Sequence, residues 1–185
     1  MKTPASGSRP PLALTEPALI RAAKRGSADA IEALVRMHWD GAHRTAYLIV
    51  RDAAAAEDIA QESVLAAVQR LDHFDRRRSF RPWLHRIVVN RSLDWLRSRR
   101  IRPEVHMEEL PAQPSSEGDP SMDVMAALGE LEPEQRALIV MRHLHGYRSS
   151  ELARLLDLPA GTVRTRLARA LRRLEAFVDA DREAG

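Results

Sequence analysis

Apolar side chains recur at three- and four-residue spacing through most of the chain, with Ala, Leu, Arg and Glu prominent throughout. That period is helical. A first helix is expected over 17–25, with Thr15 or Glu16 before it, Pro17 in its first turn and Gly26 as its stop. Ser27 can cap a second, which carries Ile31, Leu34, Val35, His38, Ala42, Ala46 and Ile49 on one stripe. Asp52 can cap a third over 53–71 that buries Ala56, Ile59, Ala60, Ser63, Ala67 and Leu71. Ser79 can cap a fourth over 80–100, where Pro82 is tolerated within the first turn. Beyond a polar gap, Ser121 opens a short helix and Pro133 another that runs through Leu144 and is ended by Gly146. Two more are expected over 150–156 and 162–178, joined by Asp157-Leu158-Pro159-Ala160-Gly161. Leu152, Leu155, Leu156, Leu158 and Val163 can form a small core between them, and Ala153 is small enough for a close crossing. No period-two strand pattern appears, so the fold class is all-α.

The last two helices have the layout of a helix-turn-helix, whose second helix enters the major groove of duplex DNA. Projected at about 100° per residue, Val163, Leu167, Ala170, Leu171, Leu174 and Val178 share one side of that second helix. Thr165, Ala168, Arg169 and Arg172 lie opposite, flanked by Arg164, Arg166 and Arg173. One face packs, and the other offers guanidinium groups to phosphates and base edges. An arginine-rich face can also simply keep a helix solvated; the preceding helix and turn favour DNA.

The fourth helix gives a different surface. Trp83, Arg86, Asn90, Asp94 and Arg97 fall within roughly an 80° arc, with Leu84, Ile87, Val88 and Trp95 on the other side. An exposed Trp beside Arg and Asn, preceded by the flexible basic loop Asp75-Arg76-Arg77-Arg78-Ser79, suits single-stranded nucleic acid: cations track the backbone and rings stack on bases. Taken alone, a core Trp83 among solvated arginines accounts for the arc equally well. Arg91 falls towards the apolar side, its aliphatic stem lying along the core. On the third helix, Asp58, Gln61, Glu62 and Leu65 lie opposite the buried stripe, either as plain solvated surface or as a patch for a positively charged protein partner.

Composition narrows the classes further. A chain of 185 residues allows one medium domain or two small ones. The absence of Cys excludes a disulfide scaffold, a thiol nucleophile, a Cys-ligated zinc site and a redox function. The apolar runs fall far short of the roughly 20 residues that cross a bilayer, and the N-terminus has no apolar core of a leader, so a cytoplasmic protein without a membrane segment is expected. The histidines lack metal-ligand spacing: His143 and His145 are two apart on an expected helix and face different ways, while His38 and His43 are five apart. Asp58 with Glu62 and Asp72 with Asp75 have no phosphate loop or activated Ser/His pairing beside them. No catalytic residue, metal or cofactor is expected.

The formal net charge of +3 conceals a segregation. Residues 12–102 hold 17 basic and 11 acidic side chains, whereas 103–121 hold five acids and no Lys or Arg. Residues 122–185 balance ten against ten, yet their arginines cluster over 164–173. All but two of the 29 basic residues are arginine, the exceptions being Lys2 and Lys24. The acidic stretch, with four prolines, three serines and a glycine, is expected to be a flexible linker. The domains are then 12–102, the linker 103–121, and 122–178.

Three motifs in order, Ala56-Glu57-Asp58-Ile59-Ala60-Gln61-Glu62, Phe80-Arg81-Pro82-Trp83-Leu84-His85-Arg86-Ile87-Val88-Val89-Asn90 and Gly161-Thr162-Val163-Arg164-Thr165-Arg166-Leu167-Ala168-Arg169-Ala170, give the chain a resemblance over roughly 12–178 to the extracytoplasmic-function (ECF) sigma factors. These are small promoter-specificity subunits of bacterial RNA polymerase. The resemblance implies that 12–102 is sigma region 2 and 122–178 sigma region 4. It places Asp58, Gln61, Glu62 and Leu65 on the β′ coiled coil of core RNA polymerase, and Arg76, Arg77, Arg78, Trp83, Arg86, Asn90, Asp94 and Arg97 on the minus-ten element, where single strands form. It places Arg164, Thr165, Arg166, Arg169, Arg172 and Arg173 on the double-stranded minus-thirty-five element, with a contact to the β flap. It further implies an anti-sigma factor as partner and a linker running near the RNA exit path. Ala67 and Val68 stand where family members often carry a large aromatic, and Thr165 stands for a common serine. The competing reading, a stand-alone helix-turn-helix repressor acting as a homodimer, accounts for 122–178 but leaves the features of 56–97 without a purpose.

Overall fold

The structure, a computed structural model, describes residues 15–75, 78–101 and 122–184. Among these are eight α-helices and no strand. The helices are α1 (Glu16–Ala23), α2 (Ala28–Val50), α3 (Ala53–Gln69), α4 (Phe80–Ile101), α5 (Met122–Gly129), α6 (Pro133–His143), α7 (Ser149–Leu156) and α8 (Ala160–Ala184), with a 3-10 turn at Leu71–His73. The linker stretch, Arg76 and Arg77 lie outside the described residues.

Two helix starts have the expected side-chain caps, whereas Thr15 precedes α1 without a side-chain cap bond. Ser27 Oγ accepts from the Ala30 N–H at 3.3 Å, and Asp52 Oδ1 accepts from the Ala55 N–H at 3.0 Å. Each satisfies a donor that the first turn leaves orphaned. Gly26 and Gly146, at φ +87° and +73°, make the left-handed stops after α1 and α6. The turn between α7 and α8 departs from expectation. Asp157 takes the left-handed conformation, at φ 55°, and Gly161 lies within the first turn of α8. Asp tolerates this conformation better than most residues do. At the start of α7 the Glu151 carboxylate accepts from the Arg148 N–H at 2.7 Å.

Helices α1 to α4 enclose one core, centred on Leu34, Ala42, Ala46, Ala56, Ala60, Leu84 and Val88. The expected stripe of the third helix is buried in full, although α3 ends at Gln69 and Leu71 falls in the 3-10 turn that follows. Helices α5 to α8 enclose a second, centred on Leu138, Met141, Leu152, Val163 and Leu167. Leu48, Ile49 and Val89 of α2 and α4 belong to this second core, so the second group of helices is seated directly on the first. α2 and α4 therefore bury two faces each, and only one face of each was legible as an apolar stripe. On α8 the outer part of the expected stripe does not pack. Leu171 and Val178 are exposed, while Val163, Leu167 and Ala170 are buried and Leu174 packs partly against the second core.

Candidate polymerase and nucleic-acid interfaces

Capped by Asp52 and held by Ala56, Ile59, Ala60 and Ser63, α3 turns Asp58, Gln61, Glu62 and Leu65 to solvent together. Leu65 is 55% exposed, a large apolar side chain in an acidic setting. Arg91, expected along the core, instead forms an ion pair with Glu62 and ties α4 to this face.

On α4, Arg86, Asn90, Asp94 and Arg97 are exposed in one arc, with Asp94 Oδ1 accepting from Arg97 at 2.7 Å. Trp83 is only half-exposed, a correction to the reading of a free ring. Phe74, returning from the 3-10 turn, packs its ring on Trp83 at 5.0 Å between centroids, and Phe80 does so at 5.5 Å. These contacts fix the indole in the edge of the core, leaving part of it at the surface. Arg78 is exposed, with its Nε 4.0 Å from Asp75. The arc and the start of the basic loop thus sit side by side.

On α8, Arg164, Thr165, Arg169, Arg172 and Arg173 are exposed while Arg166 is half-buried. Thr165 Oγ1 donates to the Gly161 carbonyl at 2.9 Å, leaving its lone pairs as acceptors. Arg173 approaches Glu130 at 3.7 Å, so the base of this arginine face is partly compensated.

What sequence reasoning missed is the junction between the two groups. His145 lies past the end of α6, not on it, and its ring meets that of His85 on α4 at 4.0 Å. A guanidinium only donates, so the Arg81 contact at 2.9 Å makes His145 Nδ1 an acceptor. Nε2 then carries the proton and donates to Thr45 Oγ1 at 2.6 Å, and Thr45 donates to the Gly41 carbonyl. His85 Nδ1 pairs with the Tyr147 hydroxyl at 3.0 Å. Burial, then His145 and Arg81, push His85 down to about 3, and burial with Arg81 and Arg44 pushes His145 down to about 4. Burial raises Tyr147 to about 12. The junction is uncharged on its histidines at neutral pH. Arg136 completes it by donating to the Leu128, Leu131 and Ile49 carbonyls at 2.7, 2.9 and 2.7 Å, the last across the junction. The only sequence signal was the unusual density of His, Arg and Tyr over 142–148.

A helical bundle with an exposed acidic face on α3 and a basic, aromatic-edged arc on α4, packed against helices that include a helix-turn-helix, has the layout of a DNA-binding protein. The family comparison gives that class a sharper form: Sigma-70 region 2 matches residues 34–101 and Sigma-70 region 4 matches 121–174. The ECF RNA polymerase sigma factor SigM of Mycobacterium tuberculosis is 35% identical over 158 residues, spanning 84% of this chain and 81% of SigM. SigW of Bacillus subtilis is 27% identical, over 81% of this chain and 89% of its own. Among solved structures, CnrH in complex with the cytosolic domain of CnrY aligns with a TM-score of 0.67 at 28% identity, covering 90% of this chain and 98% of CnrH. The chain belongs to the ECF RNA polymerase sigma factors. It acts with core RNA polymerase to direct promoter-specific transcription initiation, and is not an enzyme. Among the described residues no helix is long and apolar enough to cross a membrane.

Proposed function

We propose that the three exposed faces divide the work of initiation, with 12–102 as sigma region 2, 103–121 as linker and 122–178 as sigma region 4. Asp58, Gln61, Glu62 and Leu65 dock on the β′ coiled coil. The basic loop from Arg76 to Arg78 and the arc of Trp83, Arg86, Asn90, Asp94 and Arg97 bind the minus-ten element and help to melt it. Arg164, Thr165, Arg166, Arg169, Arg172 and Arg173 read the minus-thirty-five element, and region 4 contacts the β flap. The observation that carries this reading is that the acidic α3 face and the two arginine faces are separate and all open to solvent. A homodimeric repressor has no use for the first two. An anti-sigma factor that covers both nucleic-acid faces would silence the protein, and CnrH in complex with the cytosolic domain of CnrY is an example of a similar chain bound to another protein. The sigma factor itself acts with polymerase in the cytoplasm.

The test is run-off transcription with purified core polymerase. The wild-type chain is expected to start transcription at promoters that core alone ignores. Asp58→Arg, on an exposed position, is expected to weaken core association by about tenfold or more, a loss of roughly 1.4 kcal/mol for a reversed charge in a protein interface, while the circular dichroism spectrum stays unchanged. Unchanged core affinity in this variant rejects α3 as the docking face.

A further inference from the structure

The minus-ten reader is held from an unexpected side. The chain leaves the 3-10 turn at Phe74 and enters the basic loop at Asp75. At that exit the Lys24 ammonium donates to two main-chain carbonyls, Asp72 at 3.1 Å and Phe74 at 2.8 Å. These partners are 48 and 50 residues away in sequence, so the restraint is tertiary and independent of α4. Lys24 is itself the C-cap residue of α1. That helix is fixed to the bundle by buried Leu19, Ile20 and Ala23 and by the 2.8 Å contact of Glu16 with His38 on α2.

The carbonyls at the end of a short 3-10 turn have no continuing helix to satisfy them. An ammonium is a compact charge with three donors and can meet two converging oxygens at once, whereas a guanidinium is a planar fork. Lys24 is the one lysine outside 1–14 in a chain that otherwise uses arginine. The Phe74 ring itself packs against Phe80 at 5.6 Å and Trp83 at 5.0 Å between centroids. The loop therefore departs from a point held by two restraints, an aromatic one and Lys24. The cavity of about 660 Å³ next to this exit is lined jointly by Glu16 and Arg21 of α1 and by Phe74, Asp75, Arg78 and Ser79.

We propose that Lys24 is a positioning residue for minus-ten recognition: it fixes the exit of the basic loop from α1, so that α1 acts as a splint for the strand-reading surface. The inference rests on the assignment of that loop and the α4 arc to the minus-ten element. Lys24 spends two of its three donors on carbonyls and acts through the loop rather than on DNA.

The experiment uses holoenzyme assembled from core polymerase and the full chain. Its probe is a single-stranded oligonucleotide carrying the minus-ten sequence of a promoter from which the wild-type holoenzyme initiates, with a scrambled oligonucleotide as comparison. Lys24→Met keeps the aliphatic stem and removes the donors. It is expected to bind the matched oligonucleotide about tenfold more weakly and to lower the matched-to-scrambled ratio, as the loss of charge-assisted bonds implies. Core affinity, binding of upstream duplex and the thermal midpoint are expected to stay at wild-type values, and Lys24→Arg to recover part of the loss. Wild-type affinity and selectivity in Lys24→Met overturns the proposal, as does a loss that tracks a lowered thermal midpoint and is not relieved by Lys24→Arg. Arg86→Ala and Asn90→Ala separate the two levels. If neither weakens the oligonucleotide, the minus-ten assignment falls and the proposal with it. If both do while Lys24→Met does not, only the role of Lys24 falls.

Discussion

Arg136 stands immediately before an apolar run, 137–141, and is 7% exposed, yet each of its three guanidinium nitrogens donates to a carbonyl oxygen. Burial, then the neighbouring Arg51, lower it to about 10, so it remains charged at neutral pH. The cost of burying this charge is offset by main-chain dipoles, two from its own domain and one from Ile49 at the end of α2. Arg136→Met retains the apolar stem and removes all three bonds. The Leu128 carbonyl keeps the Leu131 N–H at 3.3 Å, but those of Leu131 and Ile49 lose their donor. Each buried acceptor left without one costs about 1–3 kcal/mol, so we expect at least about 2 kcal/mol of lost stability in urea unfolding. Arg136→Lys, a compact charge that cannot span three carbonyls, is expected to fall between. A loss below about 1 kcal/mol would show that water replaces the guanidinium without penalty.

At the scale of the element, α8 divides its length between packing and recognition. Val163, Leu167 and Ala170 hold it against α6 and α7, which leaves Arg164, Thr165, Arg169 and Arg172 on the outer side. Arg169→Ala is expected to weaken binding to the minus-thirty-five duplex by about 1–3 kcal/mol and to relax preference at one base position, if the arginine makes a bidentate base contact. A uniform loss across sequences, with a shallower salt dependence, would make Arg169 a phosphate contact instead. This face was legible because period and residue type agree along 162–178. So were the caps at Ser27 and Asp52, since a short polar residue before an apolar stripe has a local meaning. The second buried faces of α2 and α4 were not. Leu48 and Val89 look like scatter beside the main stripes, and Ile49 like the end of one, until the other domain covers them, and His85 looks like a polar interruption until His145 arrives from 60 residues away. Trp83 was misjudged for a related reason: its cover, Phe74, comes from outside its own helix.

The whole molecule poses a problem of reach, because α4 and α8 belong to one packed body. A globule of this length has a radius of gyration of about 16 Å. Promoter elements named for positions about 25 base pairs apart are separated by roughly 85 Å of duplex, at 3.4 Å per pair. Both cannot be read unless the junction opens. What holds it shut includes His145, pinned by Arg81 and Thr45, and His85, bonded to Tyr147. Arg44, Arg81 and His38 also face this pair and disfavour a positive charge on it, while Glu151 lies close to Tyr147. Both histidines are held neutral, below their ordinary value of 6.5. Between pH 6.5 and about 4 the open form therefore binds more protons than the closed one, so closure is weakened as the pH falls through that window. Because the chain has no cysteine, Gln69→Cys and Ala176→Cys, at exposed positions in the two domains, give specific sites for a donor and an acceptor dye. Energy transfer in the free protein is expected to drop as the pH is lowered from 6.5 to 4, and to drop much less when His85 and His145 are both replaced by Gln, which stays neutral. Carboxylates titrate in both proteins, so the difference between the two curves isolates the histidines. Identical curves would leave the apolar contacts and Arg136 as what keeps the two domains together.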